Sequence, residues 1–137
     1  YGEVVTTAYQ RKVTEFSSII LVNNGNMTFQ VNKLPDLAQT IPILSSETYD
    51  INNDGYEDII ISGNIYNTEV ETPRLDNQFG VVLLSNKTNN YSAVGPEKTG
   101  LYTNGNTKSI KIVGEENPLL IIVNNNGNSE TFTINNK

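Results

Sequence analysis

The sequence predicts an all-β fold of short antiparallel strands, and two observations lead to this prediction. Apolar and largely β-branched residues are gathered into short runs such as residues 59–61 and 119–123, which stretches of Asn, Gly, Ser and Thr separate. No stretch of twelve residues repeats its apolar positions with helical periodicity. We therefore expect strands joined by turns, with no helix longer than about two turns.

The apolar runs predict nine strands in three blocks of two, four and three. Leu34-Pro35 and Ile41-Pro42 mark a connector between the first two blocks, because proline cannot donate to a strand ladder. The predicted strands cover residues 17–22, 27–32, 43–49, 59–63, 79–85, 91–94, 109–113, 119–123 and 130–134.

A stacked or radial array of four-stranded sheets fits the order of these strands best. The second strand of each later block is apolar enough to be buried on both faces of its sheet. An immunoglobulin-like sandwich remains the alternative architecture.

Charge and composition exclude several classes of function. The net charge is −6, and the nine Lys and Arg residues form no basic cluster, which argues against nucleic acid and against anionic membrane surfaces as partners. No apolar run is long enough to cross a membrane, so we expect no direct membrane insertion. The absence of Cys and His excludes thiolate nucleophiles, Ser-His-Asp triads and nearly all zinc or copper sites.

One motif, at residues 50–58, predicts a metal site. Oxygen-bearing side chains stand at relative positions 1, 3, 5 and 9, and Gly55 at position 6 permits a sharp turn. Calcium binds six to eight hard oxygens in flexible geometry, whereas magnesium requires a tight octahedron and keeps its waters. The alternative is an Asn-Asp-Gly turn whose acidic side chains face solvent. The predicted Ca²⁺ ligands are Asp50, Asn52, Asp54, the backbone carbonyl of Tyr56, and Asp58.

The residues around this loop exclude an EF-hand. Position 12, where an EF-hand has a bidentate Glu, is Ile61 within an apolar strand. A dockerin-like adaptor is disfavoured as well, because the chain has neither a second such loop nor the flanking helices. The motif therefore joins two strands.

A strand, the pattern Asp-x-Asn-x-Asp-Gly-x-x-Asp and an apolar strand ending in Gly63-Asn64 together resemble the FG-GAP or VCBS repeats of bacterial surface propellers and integrin-type propellers. Weaker similarity extends to residues 24–29, Leu34-Pro35, Ala38-Gln39 and residues 79–84, and covers roughly residues 17–134. The first hairpin lacks the acidic side chains of a metal loop, and the third block has Gly-Glu-Glu-Asn at residues 114–117 in place of a second such loop. The chain therefore carries one complete site of this kind.

The resemblance implies about two and a half four-stranded blades of a larger β-propeller. Residues 1–137 would belong to one such domain: residues 17–42 end a blade, residues 43–96 form a complete blade with the calcium loop, and residues 97–137 form a closing, incomplete blade. It also implies a secreted or cell-surface protein, at an extracellular, periplasmic or outer-surface location. There it would act as a non-catalytic binding or scaffold module, with protein or glycan partners or the remaining blades of a parent chain.

The long polar excursion at residues 64–77 is the expected contact surface for such a partner. Its candidate residues are Tyr66, Glu69, Arg74 and Asp76, and the alternative is a solvated loop packed on a neighbouring blade. A second function remains open: part of a propeller-fold carbohydrate-active enzyme, with Glu69 and Asp76 as paired carboxylates and most catalytic residues outside this segment.

Overall fold

The computed structural model describes residues 2–135 and has nine strands in three antiparallel sheets, with little helix. The predicted all-β class is therefore confirmed, and each predicted strand is found with ends that differ by at most two residues. The strands are β1 Ile19–Asn23, β2 Phe29–Lys33, β3 Ser45–Tyr49, β4 Asp58–Ser62, β5 Val81–Ser85, β6 Tyr91–Val94, β7 Thr107–Val113, β8 Leu119–Asn124 and β9 Glu130–Thr133. The helical elements are α1 Val4–Thr7, a 3-10 helix Asp36–Thr40 and α2 Pro96–Thr99.

Strands that are consecutive in sequence pair with one another, so each sheet is a meander. Sheet 1 is the hairpin β1-β2, sheet 2 has the order β3-β4-β5-β6, and sheet 3 has the order β7-β8-β9. This grouping of two, four and three strands is the one that the apolar runs predict. Each connection is a local turn or loop, which keeps pairing contacts close in sequence.

Sheet 2 is the centre of the molecule, because an apolar core lies on each of its faces. Alternate residues of a strand point to opposite faces. Ile61, Val81 and Leu83 therefore pack with the connector on one side, whereas Ile60 and Val82 pack with sheet 3 on the other. The connector contributes Leu34, Ala38 and Ile41, and sheet 3 contributes Ile110, Leu120 and Ile122.

The prediction that the second strand of each later block is buried on both faces is correct for β4 and wrong for β8. Ile60 and Ile61 of β4 are each 2% exposed, although their side chains lie on opposite faces of the sheet. In β8, Leu120 and Ile122 are buried, but Leu119 and Val123 are 38% and 46% exposed. Residues 2–135 cover only one face of sheet 3, and an apolar run alone does not tell whether a second face is covered.

The first strands of sheets 2 and 3 lie side by side and are joined by side chains. The Ile110 N–H donates to Ser45 Oγ at 3.1 Å, and the Ile112 N–H donates to Glu47 Oε1 at 3.3 Å. Lys111 Nζ lies 2.6 Å from the same Glu47 oxygen. The hydrogen bond from Lys111 is the main cause that lowers the pKa of Glu47, against the opposing effect of burial.

The 3-10 helix fixes the base of the hairpin through one side chain. Gln39 Oε1 accepts the Ser18 N–H at 2.7 Å, and Gln39 Nε2 donates to the Ser18 and Leu34 carbonyls at 3.0 and 2.8 Å. This amide supplies hydrogen bonds where the ladder of sheet 1 ends. None of the three helical elements within residues 2–135 has the length and apolarity needed to span a bilayer.

Candidate functional site

The candidate metal motif forms the connection between β3 and β4, here called the acidic loop (residues 50–58). Its last residue, Asp58, begins β4 opposite Tyr49 in the ladder. Two residues with positive φ, Asn53 at 55° and Gly55 at 86°, turn the chain back toward the sheet. Residues 52–57 are exposed, so the loop lies on the surface at one end of sheet 2.

Three of the predicted ligands are gathered by hydrogen bonds inside the loop. The Asp54 N–H donates to both Asp50 Oδ1 and Asn52 Oδ1, each at 3.0 Å. Asp50 Oδ2 also accepts the Gly55 N–H at 2.9 Å, and Asp54 Oδ1 accepts the Tyr56 N–H at 2.9 Å. Asn52 Nδ2 donates to Asp54 Oδ2 at 3.1 Å. The side chains of Asp50, Asn52 and Asp54 are therefore turned toward one another.

Asp58, the fourth predicted side-chain ligand, has a different environment. It is fully buried, its Oδ1 accepts the Ser85 N–H at 2.8 Å, and its Oδ2 accepts the Ile51 N–H at 3.0 Å. This carboxylate thus joins the start of the loop to the end of β5. Each of its oxygens retains a second lone pair beside the hydrogen bond that it accepts.

Tyr56, predicted to contribute its backbone carbonyl, has a side chain that is engaged elsewhere. Its ring is 40% exposed, and Lys87 Nζ lies 5.0 Å from the ring centroid. Such a cation–π contact at an exposed site contributes roughly 0.5–1 kcal/mol. It connects the acidic loop to the turn between β5 and β6.

The donor set of the acidic loop is hard, oxygen-only and acidic, which is the chemistry that Ca²⁺ prefers. No cluster of three or more His, Cys, Asp or Glu side chains suited to a metal ion is found among residues 2–135. The hydrogen bonds above account for this, because two carboxylates gather with an amide oxygen while the third, Asp58, binds backbone amides. A calcium site on this loop would therefore use the side chains of Asp50, Asn52 and Asp54 with a backbone carbonyl. It would not need three convergent acids.

The polar excursion contains a second group of predicted residues, and three of the four are in contact. Arg74 Nη2 pairs with Asp76 Oδ2 at 2.6 Å, and its guanidinium lies 4.7 Å from the centroid of the Tyr66 ring. Tyr66 Oη donates to Asp76 Oδ1 at 3.1 Å. Burial is the largest cause that raises the pKa of Tyr66, and this hydrogen bond and the charge of Asp76 raise it further.

Glu69, the fourth predicted residue of the excursion, is separate from this group. Its carboxylate makes no ion pair or hydrogen bond within the part of the chain that the structure describes, whereas Asp76 is occupied by Arg74 and Tyr66. The paired carboxylates that a glycosidase requires therefore receive no support from these contacts.

Asn64 has a structural role that the sequence pattern does not predict. Its side chain is fully buried, donates to the Gly105 carbonyl at 2.7 Å and accepts the Asn77 N–H at 3.2 Å. Its backbone N–H donates to the Thr107 carbonyl at 3.3 Å. Asn64 thereby joins both ends of the excursion to the start of sheet 3. The Gly63-Asn64 end of the strand is part of the sequence motif, but these contacts with distant segments leave no local signal.

Comparisons with models of protein families, with curated proteins and with solved structures found no match to this chain.

Proposed function

We propose that this chain is a calcium-stabilised segment of a β-propeller of the FG-GAP or VCBS kind, acting as a non-catalytic binding and scaffold module. In this proposal Ca²⁺ is held by Asp50, Asn52 and Asp54 side chains and the Tyr56 carbonyl. Asp58 holds position 9 of the loop, which in calcium loops often acts through a water. The ion binds several oxygen atoms of the loop at once and so stabilises its conformation, and it takes no part in a reaction.

The observation that carries the proposal is the shared Asp54 N–H, which holds Asp50 Oδ1 and Asn52 Oδ1 beside each other. Two carboxylates in such a small loop repel each other by about 1 kcal/mol in water, and by more where water is partly excluded. The bonds that span two residues also occur in ordinary turns, whereas the bonds that Asp50 accepts from the N–H groups four and five residues on curl the whole loop around its oxygens. A divalent cation offsets the repulsion and uses the oxygens in the positions that the loop already gives them.

The stacking of the sheets supports the propeller part of the proposal. The blades of a propeller are four-stranded meanders packed face to face around an axis. Sheet 2 is such a meander with cores on both faces, and the first strands of sheets 2 and 3 adjoin through Ser45 and Glu47. This is the arrangement expected if both strands face a common axis.

Exposed apolar side chains at both ends of the stack support further blades as the direct partners. Sheet 1 exposes Leu21, Phe29 and Val31 at 55%, 56% and 57%. Sheet 3 exposes Leu119 and Val123. Because apolar faces of this kind bury themselves against another sheet, we propose the remaining blades of a parent chain as occupants. Protein or glycan ligands would then bind at the loops, on a protein that is secreted or held at the cell surface.

The test is the calcium dependence of thermal unfolding, measured after chelation and after calcium is returned. A ligand that binds only the native state stabilises it by about 2.7 kcal/mol at a hundredfold excess over its Kd. We expect a rise in Tm on adding Ca²⁺, and a much smaller rise with Mg²⁺. Asp54→Ala removes a central ligand of the loop together with its charge, and it should abolish most of the response.

Two control variants accompany this measurement. Asp36→Asn removes one exposed carboxylate far from the loop and should leave the calcium response intact. Tyr56→Phe keeps both the backbone carbonyl and the ring under Lys87, so it should also respond fully. A Tm that is indifferent to chelator and calcium, or a response that survives in Asp54→Ala, contradicts the calcium proposal.

A further inference from the structure

A polar cleft lies at the opposite end of the sheets from the acidic loop. It has a volume of about 300 Å³ and is enclosed by the start of the excursion, the segment before β7, and the turn between β8 and β9. We call it the amide cleft. Besides two glycines, its lining residues are Tyr66, Asn67, Asn104, Asn106, Asn125 and Asn126.

The lining of the amide cleft has one chemical character. Five of its side chains are carboxamides, each of which offers two N–H donors and a carbonyl acceptor, and no Lys, Arg, Asp or Glu lines the cleft. Neighbouring hydroxyl groups on a sugar ring donate and accept at similar spacing, and a carboxamide can meet both needs. Tyr66 adds an aromatic surface, which suits the C–H face of a sugar ring. The lining therefore selects an uncharged, polyhydroxylated ligand.

The walls of the amide cleft are held in place by contacts that do not use its lining amides. The Asn125 N–H donates to the Asn106 carbonyl at 3.0 Å, which joins two of the three segments. The buried Asn64 side chain holds the Gly105 carbonyl at 2.7 Å. Arg74 covers the Tyr66 ring, and Asp76 holds its hydroxyl. A site whose walls are already ordered loses little entropy when it binds a ligand.

One buried group in the cleft lacks a partner. Asn106 is 6% exposed, and its side-chain oxygen has no hydrogen-bond partner among the described residues. A buried acceptor without a donor costs roughly 1–3 kcal/mol. This oxygen has almost no accessible surface, so a ligand hydroxyl in the cleft would donate to it only after the Asn106 side chain turns toward the cleft.

We propose that the amide cleft binds a single uncharged sugar residue. The volume of about 300 Å³ lies at the lower end of small-molecule sites, which favours one monosaccharide unit over a longer chain. This inference builds on the proposed function by naming a neutral glycan as the partner and the cleft as its site. It does not require the acidic loop to bind calcium, because the loop lies at the other end of sheet 2.

The experiment is ligand-observed NMR on the full chain with glucose, galactose, mannose and N-acetylglucosamine, followed by titration of those that bind. Asn126 has a φ of 54°, so Asn126→Gly removes its amide without straining the turn. Asn67→Ala removes a second amide from an exposed position. Neither side chain is hydrogen-bonded within residues 2–135, so both variants should fold normally. Each should weaken binding roughly fivefold, as loss of one neutral hydrogen bond does, and the double variant should abolish it.

Asn89→Gly is the matched control, because Asn89 is also exposed, has a φ of 57° and lies far from the cleft in the turn between β5 and β6. It should bind the sugar like the unaltered chain. The proposal is overturned if none of the four sugars binds, or if binding is unchanged in the Asn67→Ala, Asn126→Gly double variant. Calcium-dependent Tm is recorded on the same samples. Sugar binding without a calcium response would reject only the calcium proposal, and the reverse result would reject only the amide cleft.

Discussion

In sheets 2 and 3 alike, the chain reverses direction between the first and the second strand, but the connections that make this reversal differ. In sheet 3, residues 114–118 suffice, with Gly114 at a φ of 89° and Pro118 accepting the Ile134 N–H at 3.1 Å. In sheet 2, the acidic loop uses a longer connection held by side-chain oxygens. The short turn shows that the pairing of two such strands does not need the extra length of the acidic loop.

The residue that follows each connection differs as well. Asp58 and Leu119 hold equivalent ladder positions, opposite the last residues of β3 and β7, Tyr49 and Val113. Asp58 is fully buried, whereas Leu119 is 38% exposed. At this position the charged residue is buried and the aliphatic residue is exposed, which reverses the usual expectation for the two residue types.

The largest expected effect comes from Asp58→Ala. Loss of this carboxylate leaves the Ile51 and Ser85 N–H groups without their acceptor, and hydrogen bonds to a charged group contribute roughly 1.5–3 kcal/mol each. We expect a loss of about 3 kcal/mol in the free energy of unfolding, against about 1 kcal/mol for the half-exposed Leu119→Ala. Urea denaturation measures both.

Asp58→Asn extends this test in case the alanine variant does not fold. Its amide retains one acceptor oxygen, so it should satisfy only one of the two N–H groups and lie between the unaltered chain and Asp58→Ala. An Asp58→Asn variant as stable as the unaltered chain would show that the carboxylate is not the dominant connection.

A smaller difference is expected between the two glycines that reverse the chain. Gly55→Ala and Gly114→Ala each force a side chain into positive φ, which costs roughly 1–2 kcal/mol. A Cβ at Gly55 meets nothing within 4 Å, whereas one at Gly114 would lie 3.2 Å from the Asn117 carbonyl oxygen. In the absence of calcium, Gly114→Ala should therefore lower the urea midpoint more than Gly55→Ala. The opposite order would mean that the acidic loop is the more constrained of the two even when metal-free.

The smallest expected effect comes from Glu47→Gln, which removes an ion pair between sheets 2 and 3. The pKa of Glu47 is lowered from its ordinary value of 4.5, mainly by the hydrogen bond from Lys111 across the two sheets. A lowered pKa in the folded state stabilises the protein above pH 4.5, and this stabilisation disappears as the pH falls through the lowered value. Glu47→Gln should remove at most about 1 kcal/mol at neutral pH and flatten the acid limb of the stability curve.

The readout for Glu47→Gln is a pair of urea titrations, at neutral pH and below pH 4, on both proteins. If the difference between them persists unchanged below pH 4, the ion pair with Lys111 is not its cause. Separate transitions for probes in sheets 2 and 3 would show that the two sheets do not form one cooperative unit.

The positions of the strands were predictable from sequence because β-branched runs and Asn-Gly turns are local signals. The 3-10 helix and both α-helices were missed because four or five residues carry no periodicity, although Pro96 as the first residue of α2 follows a known helix-start preference. The sequence motif predicted Asp58 as a metal ligand, but its contact with Ser85 spans 27 positions and leaves no trace in the local pattern. The amide cleft combines three distant segments, so it becomes apparent only in the fold.

The hydrogen bonds that β7 donates to Ser45 and Glu47 have a consequence for self-association. An edge strand normally presents free N–H groups that can recruit a strand from another molecule and start edge-to-edge aggregation. In β7 the Ile110 and Ile112 N–H groups are already taken by side chains of β3. Two polar side chains thus occupy these N–H groups without adding a strand, which disfavours pairing of β7 with a strand of another molecule.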